Sequence, residues 1–255
     1  MSDMPQPHTS YTIWFSQRTG SSLLCDALTS TGIAGNPNEW LNPGAEQELF
    51  EQFGVSTVGE FQEQLWTLGS SSNGVFGLKV SVHEPFLTDV VNTLRKLPGC
   101  PSELTRAEVW NYAFPNHHHI FMTRRNKVRL AVSWWKAVQT QQWHRQRGEP
   151  VQAHKLSLAY DFEAINQLYS ECSMREAAIE SFLSEVGVAP LTLVYEDFIL
   201  EFEKTIRSVL RFLGLGGEAV SITSPGFSKL ADDVSEAWVQ RFRADKQKGW
   251  TNRAW

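Results

Sequence analysis

The most chemically loaded stretch of the chain is Ser16-Gln17-Arg18-Thr19-Gly20-Ser21-Ser22, small polar residues around one arginine between an apolar run and a helical pattern. A strand that ends in such a turn and enters a helix directly gathers unpaired backbone N–H groups and a positive dipole end, which makes an anion site. Gly20 permits close backbone approach, Ser21 and Ser22 add hydroxyl donors, and Arg18 supplies a planar fork of charged donors. An ordinary serine-capped helix is the competing reading. A nucleoside-triphosphate loop would need GxxxxGK[ST], and this loop has one glycine and no lysine followed by Ser or Thr. Nor does a predicted strand end in an aspartate placed to hold magnesium. The pattern favours an anionic donor bound without a metal.

A second cationic group lies in Thr123-Arg124-Arg125-Asn126-Lys127-Val128-Arg129, with Ser133 further on. Charge runs are usually solvated, but this one leaves a predicted strand and enters a helix, so both ends could face one phosphate. Ser133 follows Arg125 by eight residues and Arg124 by nine, and the spacing does not choose between them. Glu39 lies in the Gly/Pro-bounded segment Gly35-Asn36-Pro37-Asn38-Glu39-Trp40, which can return toward the strand ends. A surface glutamate is the commoner fate of such a residue. Lys79 ends another strand with His83 and Glu84 just beyond it, and these three are candidates for substrate contact. His117-His118-His119 precedes or enters a strand, where neighbouring rings point in alternating directions, so it reads as no metal cluster.

The elements that must position these groups follow from the apolar periodicity. Short apolar runs predict buried strands over Thr12–Phe15, Val75–Val80, His119–Thr123 and Leu191–Tyr195. Apolar residues at three and four spacing predict helices over Ser21–Ser30, Pro85–Leu97, Lys127–Trp143, Phe162–Val186 and Phe202–Leu213. Strands alternating with helices imply a central parallel sheet flanked by helices, a three-layer α/β fold. Ligands of such sheets sit beyond the carboxyl ends of the strands. The Gly69–Gly74 stretch reads as a turn and Gln146–Gln152 as a polar loop.

With 255 residues and 42% hydrophobic content, the chain can bury a sizeable core, read as one domain over 1–255 with a flexible segment at 1–10. A formal charge of −5 offers no global basic face for nucleic acid, so an anion must be caught by a local cluster. Three scattered cysteines without a CxxC pair argue against disulfides or structural zinc and point to a reducing cytoplasm. No run approaches the roughly 18 apolar residues of a membrane span, and the first ten residues are unlike a signal peptide. Of the ten tryptophans, Trp134, Trp135 and Trp143 fall on one predicted helix and read as core or contacts in a homodimer.

Gln17-Arg18-Thr19-Gly20-Ser21-Ser22-Leu23 resembles the 5′-phosphosulfate loop of sulfotransferases that use 3′-phosphoadenosine 5′-phosphosulfate, and most closely the bacterial trehalose 2-sulfotransferase-like family. The Gly35–Trp40 motif, Asn73–Lys79 and Ala131–Thr140 are similar in the same order. The resemblance implies a P-loop-like sulfotransferase fold and metal-free transfer of a sulfuryl group to an acceptor hydroxyl, such as that of trehalose, another carbohydrate or a small alcohol. It implies that Gln17 to Ser22 cradle the 5′-phosphosulfate, that Arg124 or Arg125 binds the 3′-phosphate with Ser133, that Arg18 meets the departing oxygen, and that Glu39 is the general base. Tyr195-Glu196-Asp197 is similar to a late strand-end motif of the same enzymes, with Glu196 or Asp197 expected to cap the next helix. Lys246–Trp250 resembles the animal phosphate loop only loosely, leaving Arg241 and Arg243 as groups that could cover the nucleotide. A kinase-like phosphotransferase and a nucleotide-binding module without turnover are the alternatives, and the missing Walker lysine counts against the first.

Overall fold

Four strands run parallel in the order β2-β1-β3-β4 in a computed structural model that describes residues 6–42, 44–145, 158–216, 220–223, 226 and 230–255. They are β1, Thr9–Phe15; β2, Val75–Val80; β3, His117–Thr123; and β4, Leu191–Val194. Every residue of β1 and β2 is buried, as a parallel sheet covered on both faces requires. On one face lie α1 (Ser21–Ser30) and α9 (Phe202–Phe212), enclosing Ile13, Phe15, Leu24, Leu28 and Ile206. On the other lie α2 (Glu46–Phe53), α3 (Val58–Gly69), α4 (Phe86–Leu94), α5 (Arg106–Ala113) and residues 179–183 of α7 (Phe162–Val186), packed around Trp14, Phe76, Trp110 and Phe182. These are the three expected layers. No helix among the described residues is long and apolar enough to cross a membrane.

The chain passes from the central β1 to β2 on one side and then to β3 on the other. That reversal opens a crevice at the carboxyl ends of β1 and β3, the place where such sheets bind ligands. The loops after Phe15 and Thr123 both open there. Two further helices, α6 (Lys127–Thr140) and α10 (Asp233–Lys246), pack on the amino-terminal part of α7 with their own core of Val128, Val132, Ile165, Trp238 and Phe242. A short α8 (Tyr195–Leu200) follows β4 directly.

Several bounds depart from the sequence pattern. Strand β1 starts at Thr9, so Thr9 and Ser10 are buried in the sheet rather than part of a flexible 1–10 segment. Their polarity hid this, but the Ser10 hydroxyl donates to the Pro115 carbonyl at 2.6 Å and the ladder satisfies the backbone. Tyr195 opens α8 instead of ending β4, and α6 stops at Thr140, where Gln141 turns left-handed. The predicted loop 146–152 lies outside the described residues. The cysteines are free. His117 is held by Ser10, Thr12 and Trp110, and the Trp14 indole donates to His119 Nδ1 at 3.0 Å.

Candidate active site

The Ser16–Ser22 loop is a tight hook at the end of β1. Thr19 Oγ1 donates to the Ser16 carbonyl at 2.8 Å, Arg18 is held at φ 66°, and Gly20 at φ 85° precedes α1. A left-handed arginine is costly, and such strain persists only where the surroundings impose it. Gly20 is also sterically required, because a Cβ there would lie 2.8 Å from the Tyr195 ring. The Arg18 side chain turns into the crevice, where Nε donates to Ser133 Oγ at 3.1 Å and Nη1 to the Trp143 carbonyl at 2.5 Å. Burial and the neighbouring Arg124 lower the Arg18 guanidinium to about 10, so it stays charged at neutral pH.

The two adjacent arginines part company. Arg124 points inward with its side chain 13% exposed, lies 4.6 Å over the Tyr195 ring, and donates to the Arg18 carbonyl at 3.4 Å. Its Nε is buried without a hydrogen-bond partner, and burial pulls its proton affinity down. Arg125 is 61% exposed and pairs with Asp197 at 2.6 Å. Glu196 does not cap its own helix: its carboxylate accepts from the amides of Arg125 and Asn126, at 2.9 and 3.1 Å, at the start of α6. Burial alone would raise the Glu196 carboxyl, but those amides hold it below the usual range. The Tyr-Glu-Asp stretch therefore fixes the turn that presents Arg124.

Glu39 reaches the other end of the hook. Gly35, at φ 71°, brings its backbone so close to Gly69 and Val75 that a Cβ would lie 2.8 Å from either carbonyl. From there Asn38 bridges to Leu78, and the Lys79 amide donates to the Asn38 carbonyl at 2.9 Å. Glu39 is thereby set beside Lys79 and pairs with it at 2.7 Å. The Lys79 ammonium, 7% exposed, also donates to Ser22 Oγ at 3.0 Å and lies over the Phe15 ring. His144 Nε2 lies 3.4 Å from the same serine hydroxyl, and burial with Arg18 and Lys79 nearby keeps the imidazole neutral.

Gln17 belongs to a polar wall that sequence spacing did not reveal. Arg175 on α7 donates to Gln17 Oε1 at 3.1 Å and Ser81 Oγ at 3.0 Å, pairs with Glu171, and lies over Trp134. His83 packs on Phe86 near Ser81, and burial followed by the charge of Arg175 lowers its pKa. Glu84 turns away to Thr88 and Arg106 and does not join the group. Arg241 faces Tyr160 and Asp245, and Lys246 bonds Asn166. Arg243 lines, with Arg125, Lys127, Tyr169 and Trp255, a cavity of about 440 Å³ beside the start of α6. Trp134 is core, while Trp143 contributes its carbonyl to Arg18.

The fold and crevice define a three-layer α/β protein that gathers Arg18, Arg124, Lys79 and the Glu39 carboxylate around one loop that has no P-loop lysine. The family model "Stf0 sulphotransferase" matches residues 10–245, and the chain belongs to that family, whose members are enzymes that transfer sulfate. It is 26% identical to trehalose 2-sulfotransferase of Mycolicibacterium smegmatis over 97% of this chain and 98% of that protein. Its identity to trehalose 2-sulfotransferase of Mycobacterium tuberculosis is 25%, over 92% and 94%. The crystal structure of a sulfotransferase from Alicyclobacillus acidocaldarius shares the fold, with TM-score 0.51 and 18% identity over 96% of each chain.

Proposed function

We propose that this chain transfers a sulfuryl group from 3′-phosphoadenosine 5′-phosphosulfate to a carbohydrate hydroxyl, trehalose being the first acceptor to try. The carrying observation is that Glu39–Lys79 and Arg18–Ser133–Arg124 hold opposite ends of one loop. The donor set fits a doubly anionic nucleotide: two inward arginines have neutral oxygen partners at hydrogen-bond distance, and Arg124 Nε has no hydrogen-bond partner, with only the Glu196 carboxylate 3.8 Å away. Gln17 to Ser22 would hold the phosphosulfate, and Arg124 with Ser133 the 3′-phosphate. Arg124 is preferred over Arg125 because Arg125 faces solvent and Asp197. Bound there, the nucleotide supplies an electrophilic sulfur and a phosphate leaving oxygen.

The residues divide the remaining work. Glu39 Oε1 is engaged by Lys79, and Oε2 takes the acceptor proton. Once Glu39 is neutral, the Lys79 charge is no longer balanced, and it faces Ser22 and the loop as negative charge develops there. Arg18 stabilises that charge from the other side. Gln17, Ser81, His83, Arg175 and Glu171 offer donors and acceptors suited to sugar hydroxyls. The test is mass spectrometry of trehalose incubated with protein and the phosphosulfate donor. Sulfated sugar with equimolar adenosine 3′,5′-bisphosphate supports the reading, and phosphorylated sugar from ATP and magnesium would replace it with the phosphotransferase alternative.

A further inference from the structure

Glu176 is a buried carboxylate that the chemistry above leaves unused. It projects from α7 to the carboxyl edge of the sheet, where Oε1 accepts from Ser16 Oγ at 3.2 Å. Oε2 accepts from Thr123 Oγ1 at 3.0 Å and Lys127 Nζ at 2.5 Å. The Lys127 ammonium also donates to Thr123 Oγ1 at 2.9 Å and to the Arg124 carbonyl at 2.7 Å. Ser16 is the residue from which the Gln17–Ser22 hook departs, and Thr123 is the residue before Arg124. In the register of β1 on β3, Phe15 faces Met122, so these two residues leave neighbouring strands side by side. Both donor loops are thus rooted on one side chain.

We infer that Glu176 is a positioning residue that fixes the spacing between the two phosphate-binding loops, so that one nucleotide can engage both at once. This rests on the nucleotide assignment above. Two phosphates on one ribose are held at a set separation, and both contacts form together only if the loops already present their donors at that separation. A ligand with a single phosphate uses one loop and is indifferent to the spacing. Loss of the Glu176 tie should therefore act on the selectivity for two phosphates over one. A role confined to stability would weaken both ligands alike.

The experiment is calorimetric titration of adenosine 3′,5′-bisphosphate and of 5′-AMP into wild type, Glu176→Gln, Thr123→Val and Ser16→Ala, with each variant's fold checked by circular dichroism. The amide of Glu176→Gln keeps one acceptor but sets an NH₂ group near Lys127. The bisphosphate-to-monophosphate affinity ratio is expected to fall about tenfold or more in Glu176→Gln and less in Thr123→Val and Ser16→Ala, with 5′-AMP changed less than about threefold. Those two milder variants each remove one hydrogen bond and carry the test alone if Glu176→Gln does not fold. An unchanged ratio in the folded variants, or equal losses for both ligands, overturns the inference. A wild type that shows no preference for the bisphosphate overturns the nucleotide assignment itself, a distinct result.

Discussion

The two ends of the Gln17–Ser22 hook are held by opposite electrostatics. At the β2 end a buried lysine is matched by one carboxylate, Glu39, so the local charge is nearly balanced. At the β3 end Arg18 and Arg124 approach each other against neutral oxygens, and the nearest carboxylate, Glu196, stands 3.8 Å from Arg124 with both oxygens on backbone amides. Two buried arginines share that single carboxylate, which is itself held by amides, so the pair carries an excess positive charge that is costly to bury. In the proposed reading this difference divides the work: the end with excess positive charge gains most from an anion, and the balanced end changes charge only when a proton arrives.

The strongest way to break this division is at Glu39. Glu39→Gln keeps size and hydrogen bonding but cannot take a proton, so turnover should fall roughly 10²–10⁴-fold. Affinity for adenosine 3′,5′-bisphosphate should change by less than about threefold, because a carboxylate near the phosphosulfate contributes no attraction to it. Single-turnover transfer set against calorimetric affinity is the measurement. Near-normal turnover would remove Glu39 and make His144, which also reaches Ser22 Oγ and whose pKa burial lowers, the next base to replace.

Acid probes the sheet beneath the two ends unequally. His117 and His119 on β3 are hydrogen-bonded neutral, and burial drives both down, His119 to about 4. In the unfolded chain they titrate near the ordinary value of about 6.5. The unfolded state therefore binds more protons below that pH, and stability present above it is lost as pH falls toward about 4. For His119 the loss is on the order of 3 kcal/mol. Thermal unfolding scanned from pH 7 to about pH 4 should show a falling midpoint, and His119→Gln should flatten the fall. An unchanged midpoint would mean that the ring is already open to water.

Arg124→Ala should come next, weakening the bisphosphate roughly ten- to a hundredfold, the worth of a charged hydrogen bond to phosphate, and leaving 5′-AMP within about threefold. Ser133→Ala should act in the same direction and less. Equal losses for both nucleotides would assign Arg124 to the 5′ end of the ligand and erase the distinction between the loop's two ends.

Much of the frame was legible locally because its signals are local. The bounds of β2, α1 and α7 follow from apolar periodicity and turn residues alone. Helices α3 and α5 carry a local signal of the same kind in their capping boxes, Thr57 with Glu60 and Thr105 with Glu108. Helix α10 is polar around most of its surface and gains its place from α6, so periodicity could not find it. Within the site, Glu39 stood out by its motif, but its partner Lys79 is set by the Asn38–Leu78 bridge. Arg175 and Glu176 carry no signal at all: Arg175 with Glu171 at i and i+4 on a long helix reads as a surface pair, Glu176 beside it reads the same way, and their partners Gln17 and Ser16 lie far back in the chain. The choice between Arg124 and Arg125 was invisible because it depends on where Tyr195, Glu196 and Asp197 arrive.

The smallest expected effect sharpens that last choice. Arg125→Ala removes a guanidinium that is 61% exposed and bound to Asp197, while the Arg125 amide that holds Glu196 remains in place. The turn presenting Arg124 should therefore survive, and an exposed ion pair contributes little, so bisphosphate affinity should stay within about threefold of wild type. Salt offers an independent reading of the same pair. Because the Arg125–Asp197 contact faces solvent, raising ionic strength should diminish the small difference between variant and wild type, whereas the deficit of Arg124→Ala, shielded by Tyr195 and Arg18, should persist. If Arg125→Ala instead matches Arg124→Ala, the 3′-phosphate lies on the outer side of the turn, in the cavity shared by Arg125 and Arg243. The unbalanced charge of the inner arginines would then serve the sulfuryl group alone, and Arg243→Ala would reproduce the loss.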